Sequence, residues 1–569
     1  MLQAVIERTD TRDPIFSLSD EFVRAFAAQC PANATMSGLP CDHGAWNDWS
    51  PAGADAWAAM LASFEERLRA LPPVAAGDEW SALARRVMAD YLRERIDDHA
   101  HAEHLRDLNN IESTFQHLRM VFDMMDTSSA EAWDAVLARL EGLDAASAGY
   151  RATLDVGRQS GRAVARRQVL AAIEQARVHA GPTSFFRSLP EAAARGGASA
   201  AVQERLPAAV ERACGVFAEF AEYLERTYLP DAVAADGVGR ERYLRLARPF
   251  LGTIIDPEET YAWGWAEVRA IEAEMERLGA QILPGAPLPE VIRHLEKDPA
   301  RCAEGVEAFL GLMRERQQRA LAELEGVHFD IPAEIRRIEV KVAPPGGPLG
   351  AYYVPPSEGF ARPGTVWYSP GDQQRFPLYG EITTAYHEGF PGHHLQCGLQ
   401  VYLEERLSRL HRFLVCCSGY AEGWALYAEQ LMHELGYFEK PEYVLGMLAA
   451  KLMRAYRVVV DIGLHLDLPI PPDAPLHGGG RWNFDIAVEY MHQRAFMRIE
   501  HACSEVTRYL GWPGQAISYK VGERVVLGLR EELRRKQGAA FDLKTFHARV
   551  LGSGSVGLDH LRELVLGAP

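Results

Sequence analysis

The sequence predicts a mainly α-helical fold of two lobes with one small β-sheet. Three observations carry this expectation. Apolar residues recur three and four apart through most of the first 330 positions, short β-branched and aromatic runs replace them between about 335 and 368, and the helical period then returns almost to the end of the chain.

The first-half segments lie near 53–72, 78–98, 129–158, 161–179, 202–229, 257–279 and 299–326, where Ala, Glu and Arg fill the positions between the apolar ones. Pro72-Pro73 and Gly181-Pro182 punctuate them, and no repeat is recognisable that would make the helices a solenoid. Past residue 330, strands are expected at 335–342, 350–354 and 365–368, separated by Pro and Gly, including the cluster at 343–348. Helices resume at about 379–405, 419–435, 441–466, 484–510 and 513–536, with a Pro- and Gly-rich loop at 468–480. A boundary near 330 separates an N-terminal helical lobe, 1–330, from a second lobe, 331–569. Their shared helical character favours two lobes around a cleft over independent domains.

Composition narrows the function classes. The 569 residues are 48% hydrophobic and 24% charged, and no stretch approaches the roughly 18 apolar residues that span a bilayer. The first ten residues reach charge before an apolar run develops, so no export signal is expected and a cytoplasmic location is the default. The net charge of −18 makes nucleic acid and anionic membrane poor partners. Eight cysteines without C-x-x-C spacing argue against a disulfide scaffold or a thiolate metal site; Cys416 and Cys417 are expected as a buried structural pair.

The chemistry concentrates after the predicted sheet, in residues 387–394, His-Glu-Gly-Phe-Pro-Gly-His-His. A His followed at once by Glu on a helix, with further His close behind, suits a hydrolytic zinc site: imidazoles ligate one divalent ion, while the neighbouring carboxylate takes a proton from the attacking water. His387 is therefore a predicted ligand and Glu388 the predicted general base. On an undistorted helix His394 would lie about 10.5 Å along the axis from His387 and His393 would point elsewhere. Pro391 and Gly392 predict a kink or bulge, and looping out two residues favours His393 as second ligand over His394. His394 would then line the cleft and contact substrate or a carboxylate. The third ligand is expected from the helix that opens at Ser418. Glu422, 35 residues after His387, would face the histidines, with Glu429 as competitor or as an acceptor that orients a histidine.

Three segments, His387 to Gln396 (His-Glu-x-x-Pro-Gly-His-His-Leu-Gln), Glu422 to Tyr427 (Glu-Gly-Trp-Ala-Leu-Tyr) and Pro513 to Gly522 (Pro-Gly-Gln-Ala-x-Ser-Tyr-x-x-Gly), resemble the bacterial "domain of unknown function 885" family. With the family's long helical N-terminal part, the resemblance spans nearly the whole chain. That family looks like a relative of gluzincin-type zinc peptidases such as angiotensin-converting enzyme and thermostable carboxypeptidases. The resemblance implies a zincin-like fold with a deep central cleft, zinc as cofactor and a short peptide or peptide-like substrate. It points to Gly392-His393 and Glu422-Gly423 for the second and third ligands.

In the same light Tyr519 would donate to the oxyanion formed on the attacked carbonyl, or be an ordinary packed tyrosine. Arg454, Arg457, Asp461 and His465 share one helical stripe. Arg457 is a candidate dock for a substrate carboxylate and His465 a candidate donor to the tetrahedral intermediate, while an internal network with Asp461 explains the stripe almost as well. Tyr353 lies on a strand whose edge an extended peptide could pair with. Two other readings use the same residues: a non-haem iron oxygenase, which has no need of Glu388, and a catalytically silent binding protein.

Overall fold

The computed structural model describes residues 13–343 and 350–567. The first ten residues, on which the export reading rests, and most of the 343–348 cluster lie outside them. The protein is mainly helical, with 69% helix and 5% strand in two small sheets. Among the described residues, no helix is long and apolar enough to cross a membrane.

The buried side chains form two clusters. One gathers residues between Leu108 and Tyr228, with Ala32, and is built where α2 (Ala130–Gln159) and α3 (Arg166–Ala180) pack on α4 (Ala200–Tyr223). The other draws on residues from Ile15 to Leu92, including α1 (Glu79–Ala100), and from Tyr243 to Val565, so it spans both sides of residue 330. At its centre α5 (Pro257–Ile282) lies along α10 (Pro441–Leu466), and α9 (Ser418–Glu434) along α11 (Ser518–Gln537). Local chemistry sets the ends of these helices. Asp256 accepts from the Glu259 N–H and Pro257 occupies the first turn of α5. Asp467 closes α10 in the left-handed conformation.

The sequence places a single helix at 299–326, but the chain is extended at β1 (Cys302–Glu304) and turns at Gly305 (φ 83°) before α6 (Val306–Leu324). Left-handed φ suits glycine, and the helix can start only after it. β1 pairs antiparallel with β5 (Arg375–Pro377), a two-stranded sheet that alternation does not reveal in such short runs. The expected sheet is three-stranded: β2 (Ile338–Val342), β3 (Gly350–Val354) and β4 (Gly364–Ser369) in the order β2-β4-β3, parallel between β2 and β4 and antiparallel between β3 and β4. β3 is thus an edge strand.

The helix expected at 379–405 is two helices, α7 (Leu378–Glu388) and α8 (His393–Tyr402), joined by Gly389-Phe390-Pro391-Gly392. α7 packs against α6, α9 and α10, which places its C-terminal end inside the larger core. The segment 484–510 is also two helices, Phe484–Gln493 and Ile499–Gly511.

Candidate metal centre

The four-residue break is held from both sides. Gln317 of α6, buried, donates its amide to the Ala385 carbonyl and accepts from the Phe390 N–H at 2.6 Å. Trp424 of α9 donates its indole N–H to the Pro391 carbonyl at 2.9 Å. A side chain at Gly392 would collide with the His387 carbonyl, so that position needs glycine for close approach, and one at Gly389 would displace the Gln317 amide. The consequence is a chain reversal that returns His393 to the side of His387, with ring centroids 4.9 Å apart.

Glu422, in the second turn of α9, meets both rings. Its Oε2 lies 3.2 Å from His387 Nε2 and 3.5 Å from His393 Nε2, and the three ligand atoms all fall within 4.8 Å of one another. Two ligands on a tetrahedral ion with bonds of roughly 2.0–2.1 Å stand about 3.3 Å apart, which both measured separations match. Glu422 Oε2 is buried with no hydrogen-bond donor set on it. A buried carboxylate oxygen facing two imidazole nitrogens and nothing else is a donor set complementary to a divalent cation.

A second layer orients the first. His387, 3% exposed, places Nδ1 2.7 Å from Glu429 Oε1, so Nδ1–H donates and Nε2 is left as the lone-pair nitrogen facing Glu422. Glu429, fully buried, is itself held by the Thr383 hydroxyl and by Arg454 at 3.3 Å. Of the two roles open to Glu429, competitor or orienting acceptor, this geometry fits the second. Burial and Arg454 push the His387 imidazole down, but the carboxylates of Glu422 and Glu429 prevail and bring it up to about 9, a proton that a bound cation would displace from Nε2. Burial opposes ionisation of Glu422, yet the two imidazoles hold its carboxyl well below the usual range.

Glu388 is half-buried beside this cluster, and no described side chain forms a hydrogen bond or ion pair with it. Burial pushes its carboxyl up, offset in part by His387 and His393. Tyr519 stands in the first turn of α11, with the Arg457 guanidinium 4.6 Å from its ring centroid, and burial and the Glu422 charge raise its phenol. α11 is brought to α9 by glycines: a side chain at Gly423 would strike the backbone of Gly522, and one at Gly522 the Gly419 carbonyl. Ser518 and Ser418 hydroxyls, 2.8 Å apart, and Gln515 on Ser418 tie the two motifs together.

Four residues expected to meet the substrate make their hydrogen bonds within the fold. His394 does not line a cleft: it is 1% exposed, its Nε2–H donates to the Ile335 carbonyl at 2.6 Å, and its Nδ1 accepts from the Tyr353 hydroxyl at 3.0 Å. The second residue of α8 points into the sheet, and Tyr353 is spent on it. Arg457 is not free for a substrate carboxylate, because Nη2 pairs with Glu505 at 2.8 Å and Nε donates to Tyr509 at 3.1 Å. His465 is engaged within the fold: Nε2–H is given to the Tyr509 carbonyl and Nδ1 accepts from the Val238 N–H, and burial brings the ring down to about 4. The network that occupies the stripe runs from Arg457 to Glu505 and from Asp461 to Tyr243, with His465 Nε2 3.7 Å from Asp461 Oδ1. Cys417 is buried as expected, but Cys416 is exposed. Gln317 carries no motif signal in the sequence; its role appears only when α6 is packed on α7.

The family model for "Bacterial protein of unknown function (DUF885)" matches residues 31–565. The chain belongs to the DUF885 family. Two solved structures share the DUF885 chain's fold along its whole length. One, titled "putative lipoprotein" from Colwellia psychrerythraea, is 24% identical with a TM-score of 0.85, covering 97% of this chain and 98% of that one. The other, titled "putative lipoprotein of unknown function" from Shewanella oneidensis, is 19% identical with a TM-score of 0.71, covering 97% and 99%. No curated protein matches this DUF885 sequence.

Proposed function

We propose that the protein is a zinc-dependent hydrolase of the metallopeptidase type, with His387, His393 and Glu422 as ligands and Glu388 as general base. The convergence of two imidazole nitrogens on one unpartnered carboxylate oxygen, with a free carboxylate next in sequence, is the observation that carries the reading. The reading is supported by the sequence resemblance to gluzincin peptidases, which rests on the same combination of His-Glu on one helix and Glu-Gly on a later one.

When bound, zinc supplies Lewis acidity toward a substrate carbonyl and a lowered pKa for water. The protein's own residues do the rest. Glu388 accepts a proton as the water oxygen bonds to the carbonyl carbon, and passes it to the leaving nitrogen as the C–N bond breaks, so the carboxylate is regenerated. Its raised pKa brings proton affinity nearer neutrality, which suits both transfers. Tyr519, whose phenol feels the Glu422 charge, would donate to the oxyanion. The peptide nature of the proposed substrate rests on the motif resemblance to zinc peptidases, and the pairing of a cation-binding donor set with a neighbouring carboxylate supports attack of water on a carbonyl.

The test pairs metal content with a single substitution. The purified protein should hold one zinc per chain, and Glu388→Gln should keep that zinc while losing hydrolysis of a mixed peptide set by at least about a thousandfold, as loss of a general base does. Unchanged hydrolysis in Glu388→Gln, or a chain that binds no zinc, refutes the assignment.

A further inference from the structure

A cavity of about 510 Å³ lies against α8, the helix that opens with His393. Its wall includes Cys397, four residues after His393 on α8 and so one turn along the same face, and Cys416, two residues before α9 begins. Burial raises both thiols, and the Glu422 charge adds to it.

The opposite wall is aromatic and cationic. Trp57 and Phe413 are half-buried, and Tyr91 lines the cavity with the Arg95 guanidinium carbon 3.4 Å from its ring centroid. Arg412 also lines it; its side chain is 10% exposed, Nη1 donates to the Val401 carbonyl, and Nε is buried with no partner. A space bounded by rings and guanidinium groups favours an occupant that is apolar in bulk but presents a negative face. Aromatic side chains do so through their quadrupole, and aliphatic ones do not. The volume falls in the range of roughly 300–1,000 Å³ that small-ligand pockets occupy.

From this we infer that the cavity between Trp57, Phe413 and Arg412 is a specificity pocket for an aromatic side chain of the substrate. That the occupant belongs to a substrate rests on the hydrolase reading; that the cavity takes an aromatic group does not.

Two measurements on the full chain separate these claims. In the first, N-acetyl-L-phenylalaninamide should slow alkylation of Cys416 by N-ethylmaleimide at least about fivefold at saturation, while N-acetyl-L-alaninamide, lacking the ring that fills the space, should not. The protection should vanish in Phe413→Ala, and in Trp57→Ala as an independent second variant, with the unprotected alkylation rate unchanged. Equal protection by both amides, protection by neither, or protection that survives both substitutions overturns the pocket. In the second, the zinc-loaded protein should bind 3-phenylpropionohydroxamate about tenfold or more tightly than acetohydroxamate, since both carry the same chelating head and differ in the buried group. Thiol protection without binding of either hydroxamate leaves the aromatic pocket in place and removes the zinc reading. Binding of both with equal affinity overturns the pocket's place in substrate recognition.

Discussion

His387 gives its Nδ1–H to Glu429 across 2.7 Å inside a fully buried setting, and this one bond decides which nitrogen faces the ligand cluster. Glu429→Gln keeps the shape but lets the amide rotate and removes the charge that Arg454 and Thr383 hold in place. Zinc affinity should fall about 10- to 100-fold, as for other ligand-orienting carboxylates, read by competition with a chromogenic chelator. Affinity equal to wild type would show that the tautomer is set elsewhere.

The adjacent histidines 393 and 394 should behave oppositely. His393→Ala removes a ligand atom, so stoichiometric zinc should be lost with little change in the stability of the metal-free chain. His394→Ala leaves the Ile335 carbonyl and the Tyr353 hydroxyl without their partner and should cost about 1–3 kcal/mol, while zinc content stays at one per chain. Metal analysis and urea unfolding on both variants check the pair, and zinc loss in His394→Ala with retention in His393→Ala would reverse the ligand assignment.

Trp424→Phe preserves most of the packing and deletes the N–H that holds the Pro391 carbonyl. A buried acceptor left unpaired costs about 1–3 kcal/mol. Because that carbonyl belongs to the break between α7 and α8, zinc affinity should weaken in parallel with stability. Loss of stability alone, with affinity intact, would show that the turn holds its shape through Gln317 without the indole.

Asp461 gives a prediction in pH. Its carboxyl is fully buried, accepts from Tyr243 at 2.7 Å and from the Gly514 N–H at 3.1 Å, and is pushed up from its ordinary 3.8 to about 7 by burial. Between those values the unfolded chain releases a proton that the folded chain keeps. The group's contribution is therefore full below about pH 4, declines as pH rises toward 7, and is constant above that, at about 1.4 kcal/mol per pH unit within the window. Asp461→Asn cannot ionise and keeps an acceptor, so its stability relative to wild type should rise by a few kcal/mol from pH 4 to pH 8. A difference that is flat with pH would mean that Asp461 is ionised in the folded protein.

Much of the fold is legible because long amphipathic helices announce themselves: the expected 441–466 coincides with α10, and the three-stranded sheet lies where short β-branched runs are read. The cluster of His387, His393 and Glu422 is legible for another reason, since its residues sit in local patterns, His-Glu, Gly-His and Glu-Gly, that stand out along the sequence. What cannot be read is whatever depends on the opposite surface. The stripe carrying Arg457 and His465 has the right spacing for a polar face, but Glu505, Tyr509 and Val238 arrive from distant segments and take up its hydrogen bonds. Gln317 stands about 70 residues from the turn it supports, in a helix with no distinguishing motif. β1 and β5 are three residues each, too short for alternation to register.

Where Gly423 and Gly522 meet, main chain rests on main chain with no intervening side chains. Side chains are what lets packed helices slip by small amounts, by changing rotamers as they go. Without that cushion the helix bearing Glu422 and the helix bearing Tyr519 must travel as a unit, like two bars welded at one point. Any widening around the proposed site has to come from other parts of the molecule, so the carboxylate and the phenol should keep their spacing as the rest moves.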